Sequence, residues 1–277
     1  MRIRNLIIIF SLCIGNSFSQ NLVPNPSFEN GGVPFKFNDI KSVEGWGTFP
    51  DFSEDYFNKS ANDYPKRFKM NNMGVPKNDC GYQQARTGNA YAGLAYSQEI
   101  LQCELISTLI KDTTYYLEFY TSLADSSDYA IWRMGAFFSN QPIDAYKKVQ
   151  FIHPQLLNDS LNYLTDTVNW IKISGFYKAK GGEKYLSIGT FAREDYDRKF
   201  FIPDKKSGRR YYYIDDVSMI PINSKDFNSI NKDTVLYLRE LFFNSGQYAL
   251  SENSYAELDA ISSMLKNNNK KSIEISG

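Results

Sequence analysis

The alternation of side chains in residues 211–220 (YYYIDDVSMI) constrains the fold more than any other feature of this 277-residue sequence. Successive residues of a β-strand point to opposite faces. In this segment a period of two places Tyr211 and Tyr213 on one face and Tyr212 on the other. This pattern is typical of a half-buried strand. Read together with residues 21–30 (NLVPNPSFEN), it predicts that the two segments are the last and first strands of one β domain.

The opening segment has the features of an edge or a domain entry rather than of a central strand. Pro24 and Pro26 lack backbone N–H donors, so neither can complete a ladder of hydrogen bonds on both sides. Phe28 supplies an apolar anchor and Glu29 a carboxylate. We therefore expect this segment to lie at the margin of the domain, beside residues 211–220.

The residues between these two segments alternate in the same way and are interrupted by turns. Aromatic residues make up 16% of the chain, which favours strands over a helical bundle. Residues 30–80 are rich in Gly and Pro and are expected to be mostly loop. The strand candidates that follow are residues 90–95, 113–123, 129–139, 151–157, 168–177 and 183–191. We predict a mostly β, antiparallel sandwich that covers residues 21–220.

Residues 1–20 have the features of a secretory signal. Positive residues precede a short apolar run at 6–14, and Ser17 and Ser19 are small residues suited to cleavage. The run is too short to span a bilayer. The residues before Cys13 do not fit a lipid-attachment motif, so we predict export without lipidation.

The carboxyl-terminal part of the chain has a different pattern. Residues 221–232 are polar and are expected to be a linker. Within residues 233–277, a strand-like run at 234–243 precedes a helix at 251–266, whose apolar residues recur at spacings of three and four. A second strand begins at 273–275. This strand–helix–strand unit is short for an independent core.

Export would leave Cys80 and Cys103 in an oxidising compartment, which predicts a disulfide. A loop of that length would stabilise the fold by roughly 3 kcal/mol. Two unpaired buried thiols are the alternative. A zinc site is not expected, because the chain has no CxxC motif and His153 is its one histidine.

Charge and motifs argue against nucleic-acid binding and against catalysis. The formal net charge is zero, so the global balance implies no polyanionic partner. His153 has no nucleophile motif such as GxSxG near it, and the glycines of residues 181–182 do not form a phosphate-binding loop. We therefore expect a protein that is not an enzyme.

The opening segment NLVPNPSFEN, Trp46 and the closing YIDDVSM resemble jelly-roll carbohydrate-binding modules of the galactose-binding-like type. The resemblance covers residues 21–220 and implies a jelly-roll sandwich.

Such modules often hold a structural calcium between the opening Glu and the closing Asp, which are Glu29 and Asp216 here. Carboxylates brought together need a cation or a proton, and oxygen ligands favour calcium. The alternative is that Glu29 caps a turn and Asp216 accepts backbone N–H groups.

The segments RTGNAYAGL and VNWIKISGFYKAKGGEKYLSIGTF resemble the amino-terminal domain of Bacteroidota envelope proteins. In that group this domain precedes an OmpA-type peptidoglycan-binding domain, and residues 233–277 are similar to the first half of one. The residues that hold peptidoglycan come later in the family's pattern, so none is expected here and the chain looks truncated. The resemblance implies the periplasm or the outer membrane of a Gram-negative bacterium.

Tyr129, Trp132 and Arg133 are the candidate ligand-binding residues, because a saccharide site needs accessible rings with polar groups beside them. Packing in the sandwich core is the alternative for these residues.

The sequence as a whole predicts an exported binding or adhesion module joined to a peptidoglycan anchor that is incomplete here. Its partner would be an envelope protein or a glycan. The other reading is a true glycan-binding module for an envelope or extracellular polysaccharide.

Overall fold

The computed structural model describes residues 20–47, 54–95, 99–143, 152–158, 163–191, 200–202 and 210–222, with Leu258 and Ser262 in a helix. Three short 3-10 helices lie within these ranges, at Ile40–Ser42, Lys59–Asp63 and Lys66–Phe68. Residues 1–19 of the predicted signal segment, nearly all of the predicted linker and most of the predicted OmpA-like segment lie outside the described residues.

The described residues form thirteen strands. In chain order β1 to β13 are Asp55–Asn58, Lys77–Asn78, Gly81–Tyr82, Ala90–Ala95, Ile100–Glu104, Thr114–Leu123, Tyr129–Ala130, Gly135–Ser139, Leu156–Leu157, Ile171–Lys178, Tyr185–Gly189, Phe200–Phe201 and Tyr211–Pro221. A five-stranded sheet has the order β1-β4-β13-β6-β10, and a four-stranded sheet has the order β5-β11-β8-β9. Both sheets are antiparallel, and the β2-β3 and β7-β12 pairs form two small ribbons.

The two larger sheets enclose one apolar cluster. Leu117 and Phe119 of β6 belong to it together with Ile188 of β11, and all three are fully buried. Phe138 of β8 stacks on Tyr177 of β10 across the two sheets, with ring centroids 4.4 Å apart. The prediction of a mostly β, antiparallel sandwich is thus confirmed, because strands of alternating pattern can bury one face only against another sheet.

The amino-terminal segment closes the sandwich against β13. The backbone N–H of Leu22 donates to the carbonyl of Met219 at 2.8 Å, and that of Val217 donates to the carbonyl of Pro26 at 2.9 Å. Phe28 and Val217 lie in the same apolar cluster, as the sequence predicts. Residues 21–30 nevertheless form no strand, because two prolines and the positive φ angles of Asn25 and Phe28 interrupt regular pairing.

The asparagine at the start of this segment supplies three of its hydrogen bonds. Asn21 Oδ1 accepts from the backbone N–H groups of Met219, at 2.8 Å, and Val23, at 3.0 Å. Its Nδ2 donates to the carbonyl of Val217 at 3.1 Å. One side chain therefore replaces the ladder that a regular edge strand would have formed.

A second apolar cluster covers half of the outer face of the five-stranded sheet. Phe57, Tyr91 and Tyr213 point outward from β1, β4 and β13, and their rings lie 4.9 to 5.6 Å apart. Met73 and Val75, from the segment between β1 and β2, bury these rings. The expectation that residues 30–80 are mostly loop is correct for residues 30–47 and 54–80, and the part of this loop that carries Met73 and Val75 covers the sheet like a lid.

One strand prediction and the disulfide prediction need correction. Residues 129–139 form two short strands, β7 and β8, because residues 131–134 leave one sheet and enter the other. The predicted disulfide between Cys80 and Cys103 is wrong in this structure, where no disulfide joins them. Cys80 packs under the loop of the outer cluster and Cys103 lies between the sheets, so the two thiols belong to different cores.

Trp46 is buried at a β-bridge to Cys103 and packs on Phe28, with the ring centroids 4.8 Å apart. Leu258 and Ser262 are helical, in agreement with the predicted helix at 251–266. Among the described residues, no helix has the length and apolarity needed to cross a membrane.

We expect Asn21→Ala to lower the free energy of unfolding by about 1–3 kcal/mol, because the N–H of Met219 loses its acceptor. Urea unfolding monitored by tyrosine and tryptophan fluorescence measures the change. The matched control is Gln84→Ala, an exposed amide with one bond to the Tyr82 hydroxyl, for which we expect a change within about 0.5 kcal/mol. Equal effects of the two substitutions would contradict closure by this segment.

Candidate functional site

The outer face of the five-stranded sheet is accessible where the loop lid ends. We call this surface, formed by β6, β10 and the last part of β13, the open half. Its side chains lie in three in-register rows, each crossing the three strands. The rows are about 7 Å apart, since every second residue of a strand faces the same side. The rows are Ile220, Tyr116 and Phe176; Ser218, Glu118 and Ser174; and Asp215, Tyr120 and Lys172.

The first row is apolar and aromatic. Tyr116 and Phe176 are cross-strand neighbours with ring centroids 5.3 Å apart. Tyr116 is buried, which raises the pKa of its hydroxyl well above the usual value, so the group stays neutral. Phe176 and Ile220 are only half-buried. This row therefore presents an apolar strip whose accessible part is the Phe176 ring.

The second row is polar and lies beside the aromatic one. Glu118 sits at its centre, between Ser218 and Ser174. The Tyr116 hydroxyl donates to Glu118 Oε2 at 3.1 Å, and Lys172 Nζ is 3.9 Å from the same oxygen. The row thus offers a carboxylate acceptor flanked by two hydroxyls, and these three side chains remain half-buried rather than enclosed.

The third row carries a guanidinium. The Arg86 guanidinium carbon lies 3.4 Å from the centroid of the Tyr120 ring. The same guanidinium pairs with the Asp216 carboxylate. Burial raises the pKa of the Tyr120 hydroxyl, as does Glu118, while Arg86 acts in the opposite direction. Arg86 therefore covers the face of Tyr120 and forms a raised, polar wall along the open half.

The loop that carries Arg86 is held by two neighbouring carboxylates of β13. Asp215 Oδ2 accepts from the backbone N–H groups of Arg86, at 2.8 Å, and Thr87, at 3.4 Å. Asp216 Oδ1 accepts from the hydroxyls of Thr87, at 2.6 Å, and Ser27, at 2.5 Å. The β13 pairing with β6 shifts register between residues 215 and 218, and this bulge aims both carboxylates at the loop.

Glu29 fastens the other end of the same loop. Its Oε1 accepts from the backbone N–H groups of Asn89, at 2.8 Å, and Ala90, at 3.0 Å. Gly88 has a φ of +63° and lies against the Glu29 carboxylate, where a Cβ would clash. Glycine is therefore needed at this position, both for the backbone conformation and for the approach of the carboxylate.

Burial raises the pKa of Asp215 from 3.8 to about 8, and the negative charge of Asp216 adds to the effect. Backbone hydrogen bonds from Arg86, Asp216 and Thr87 lower the pKa but do not offset burial. Burial likewise raises the pKa of Glu54 to about 8, at the far end of the sheet. Asp215 is therefore largely protonated at neutral pH, and the charge that pairs with Arg86 is that of Asp216.

Glu29 and Asp216, the side chains predicted to hold calcium, both have protein partners in this structure, and the calcium site stays a prediction. Glu29 and Asp216 both contact residues 86–90, but Glu29 caps the loop, as the alternative reading expects, and Asp216 is paired with Arg86. A guanidinium already supplies the positive charge that a cation would supply. Within the described residues, no group of three or more His, Cys, Asp or Glu side chains is arranged to hold a metal.

The structure places the three predicted ligand-binding residues on another surface. Tyr129 lies in β7, where its ring is 5.4 Å from that of Phe201 in β12. Trp132 and Arg133 follow in the connection to β8, with the guanidinium 5.1 Å from the indole ring. All three are half-buried, so they are not fully buried core residues. They also lie on β7 and the β7–β8 connection, outside the open half.

Sequence reasoning missed the open half, although its signal was present. The alternation of residues 113–123 places Tyr116, Glu118 and Tyr120 on one face. That face combines rings with a carboxylate, and a sandwich core would not contain such a mixture. Only the pairing of β6 with β10 and β13 brings Phe176 and Ser218 alongside, and this pairing cannot be read from one segment.

Several solved structures resemble this chain. The CBM22-1 xylan-binding domain of Xyn10C from Paenibacillus barcinonensis has 15% sequence identity and a TM-score of 0.40, with 72% of this chain and 92% of that chain covered. TmCBM61, solved with β-1,4-galactotriose, has 13% identity and a TM-score of 0.34, with 74% and 100% covered. The K1 cleaved adhesin domain of Lys-gingipain from Porphyromonas gingivalis W83 has 15% identity and a TM-score of 0.36, with 71% and 96% covered.

No protein-family model matches the sequence, and no curated protein matches it.

The metal-free account of residues 86–90 predicts that a chelator will leave stability unchanged. We expect the melting temperature in EDTA and in millimolar calcium to agree within the error of the scan, because Arg86 occupies the position of a cation beside Asp216. Differential scanning calorimetry makes the comparison. A rise in melting temperature with calcium that disappears in Asp216→Asn would contradict this account and support the calcium prediction.

Asp215 also predicts how stability varies with pH. Its pKa is raised in the folded state, so its contribution to stability is complete below the unfolded pKa and is lost as the pH rises through about 8. We expect the free energy of unfolding to fall between pH 5 and pH 8. Asp215→Asn, which retains an acceptor oxygen, should flatten this slope by up to about 1.4 kcal/mol per pH unit. An unchanged slope in urea titrations would contradict the raised pKa.

Proposed function

We propose that this chain binds a glycan and that the open half holds the saccharide across β13, β6 and β10. One observation carries the proposal: an accessible aromatic strip lies directly beside a polar row on one rigid sheet. A pyranose ring has the complementary form, with C–H groups on its faces and hydroxyls around its rim. Ligand sites generally combine an apolar surface with a few fixed polar groups in this way.

The individual contacts follow from the chemistry of each row. The Phe176 ring can pack on the C–H face of a sugar, an apolar contact that also holds the sugar plane. Glu118 can accept hydrogen bonds from sugar hydroxyls, and Ser174 and Ser218 can both donate and accept. These side chains are placed by strand pairing, so little conformational entropy is lost when a ligand binds.

The size of the surface favours an oligosaccharide. Three strands at about 4.8 Å spacing make the floor about 10 Å wide, which is wider than one pyranose ring. Arg86 bounds the floor along one side. We therefore expect affinity to increase from a monosaccharide to a trisaccharide and then to level off.

The carboxylates of this face favour binding over hydrolysis. Cleavage of a glycosidic bond generally uses two carboxyl groups that flank the bond, one of them as a proton donor. Glu118 accepts from the Tyr116 hydroxyl, and Asp216 is paired with Arg86 and directed at the loop. This arrangement supports a binding module rather than an enzyme.

The cellular setting is a further proposal that rests on sequence resemblance. The signal at residues 1–20 and the OmpA-like segment at 233–277 would export the chain and, in a complete domain, attach it to peptidoglycan. In that setting the glycan would belong to the envelope or the extracellular matrix. An adhesion role through a protein partner would leave the open half without saccharide affinity, and the experiment below separates the two functions.

We expect Phe176→Ala to weaken binding of a neutral oligosaccharide by about tenfold or more, because full burial of a Phe ring is worth about 1.5–3 kcal/mol. A glycan array identifies the oligosaccharide, and isothermal titration calorimetry measures its dissociation constant. The matched control is Phe68→Ala, which removes an exposed ring from the 3-10 helix Lys66–Phe68 and should leave affinity unchanged.

Two results would contradict the proposal. A wild-type protein that binds no member of a broad array of neutral and acidic glycans would favour the adhesion role. Equal losses of affinity in Phe176→Ala and Phe68→Ala would place the saccharide elsewhere. Thermal unfolding of both variants, run in parallel, separates a lost contact from a lost fold.

A further inference from the structure

The connection between β7 and β8 is held rigidly at one end of the sandwich. The backbone N–H of Ile131 donates to the Tyr212 hydroxyl at 2.9 Å, and its carbonyl accepts from Leu164 at 2.7 Å. Asn158 Nδ2 donates to the carbonyl of Trp132 at 3.2 Å. The Asn158 backbone N–H donates to the carbonyl of Met134 at 2.7 Å. Residues 131–134 are therefore a fixed platform rather than a loose turn.

Two adjacent side chains on this platform carry donors without acceptors. The indole Nε1 of Trp132 and the Nε of Arg133 are shielded from solvent, and among the described residues neither atom has a hydrogen-bond partner. Buried polar groups are nearly always paired, because an unpaired donor costs free energy. The guanidinium lies 5.1 Å from the indole ring, so both donors belong to one contact pair.

The charge of Arg133 is not balanced locally. No described carboxylate lies within salt-bridge distance of it, although the described residues include ion pairs of Arg86, Lys172 and Lys178. A second guanidinium, that of Arg210, lies 5.8 Å from the centroid of the Tyr129 ring, on the neighbouring β7. This end of the sandwich therefore holds one guanidinium, that of Arg133, for which the described residues supply no carboxylate partner.

We propose that Trp132 and Arg133 form a second binding site, which takes the anionic group of an acidic saccharide, a carboxylate or a sulfate. Such a group offers acceptors only, and it complements an N–H of the indole and the N–H fork of the guanidinium. A neutral sugar hydroxyl would not balance the charge of Arg133. The proposal concerns a surface separate from the open half and does not depend on glycan binding there.

The neighbouring ring pair fits the rest of such a ligand. Phe201, in β12, is 54% exposed and lies 5.4 Å from the Tyr129 ring. The sugar ring that carries the anionic group can pack against this apolar surface while the anion reaches Arg133. A rigid aromatic surface beside a guanidinium thus favours an acidic sugar over a free inorganic anion.

The experiment compares acidic and neutral galactose-type oligomers of equal length. We expect the wild-type chain to bind an oligogalacturonate or a sulfated galactan oligosaccharide at least tenfold more tightly than the neutral galactose oligomer of equal length, measured by isothermal titration calorimetry at low salt. If the oligogalacturonate binds more tightly, the site prefers a carboxylate. If the sulfated oligosaccharide binds more tightly, the site prefers a sulfate. Arg133→Gln should abolish this preference, and Trp132→Phe, which keeps the ring and removes the N–H, should weaken acidic binding by about tenfold.

Controls separate this site from the open half and from the fold. Arg133→Gln should leave the affinity for the neutral oligosaccharide unchanged, because Arg133 lies outside the open half, and it should keep the wild-type melting temperature within a few degrees. Equal affinities for acidic and neutral oligomers, or an Arg133→Gln variant that binds the acidic oligomer like the wild type, would overturn the proposal. If the Arg133→Gln variant does not fold, the affinity of the Trp132→Phe variant for the acidic oligomer tests the proposal by itself, because this substitution keeps an aromatic ring in the same place.

Discussion

The contact between the carboxyl groups of Asp215 and Asp216 and the loop at residues 86–87 divides the outer face of the five-stranded sheet. On one side of it the sheet is buried beneath the loop lid, and on the other side the half-buried side chains of the open half, among them Phe176, Glu118 and Lys172, remain accessible. The contact depends on the bulge in β13, where Asp216 has a φ of +47°. Without that bulge the strand would continue its alternation, and the two carboxylates would point to opposite faces.

This arrangement explains how the chain positions its loop with protein groups alone. Asp215, protonated by burial, receives backbone donors, whereas Asp216 keeps its charge and pairs with Arg86. Glu29 receives the backbone donors at the far end of the loop. The resulting network sets the position of the Arg86 guanidinium over Tyr120, and with it one wall of the open half.

The local sequence pattern predicted which residues form strands better than it predicted which strands pair with each other. The alternation of residues 113–123 and 211–220 depends on neighbouring residues, so β6 and β13 could be derived from the sequence. The closing role of residues 21–30 was also predicted, but Asn21 replaces a strand ladder with side-chain bonds that no period reveals. Two features depend instead on which distant strands pair with each other, and no local pattern predicts that. They are the separation of Cys80 from Cys103 and the contact between Phe176 and Tyr116.

The most direct test of the central claim is a titration of isotope-labelled protein with a neutral oligosaccharide selected from an array, followed by backbone amide chemical shifts in two-dimensional NMR. The account predicts that the largest shift changes fall on β6, β10 and residues 217–220 of β13, with smaller ones at Arg86 and Thr87. Changes confined to the loop lid or to the four-stranded sheet, with none on β6 and β10, would contradict it.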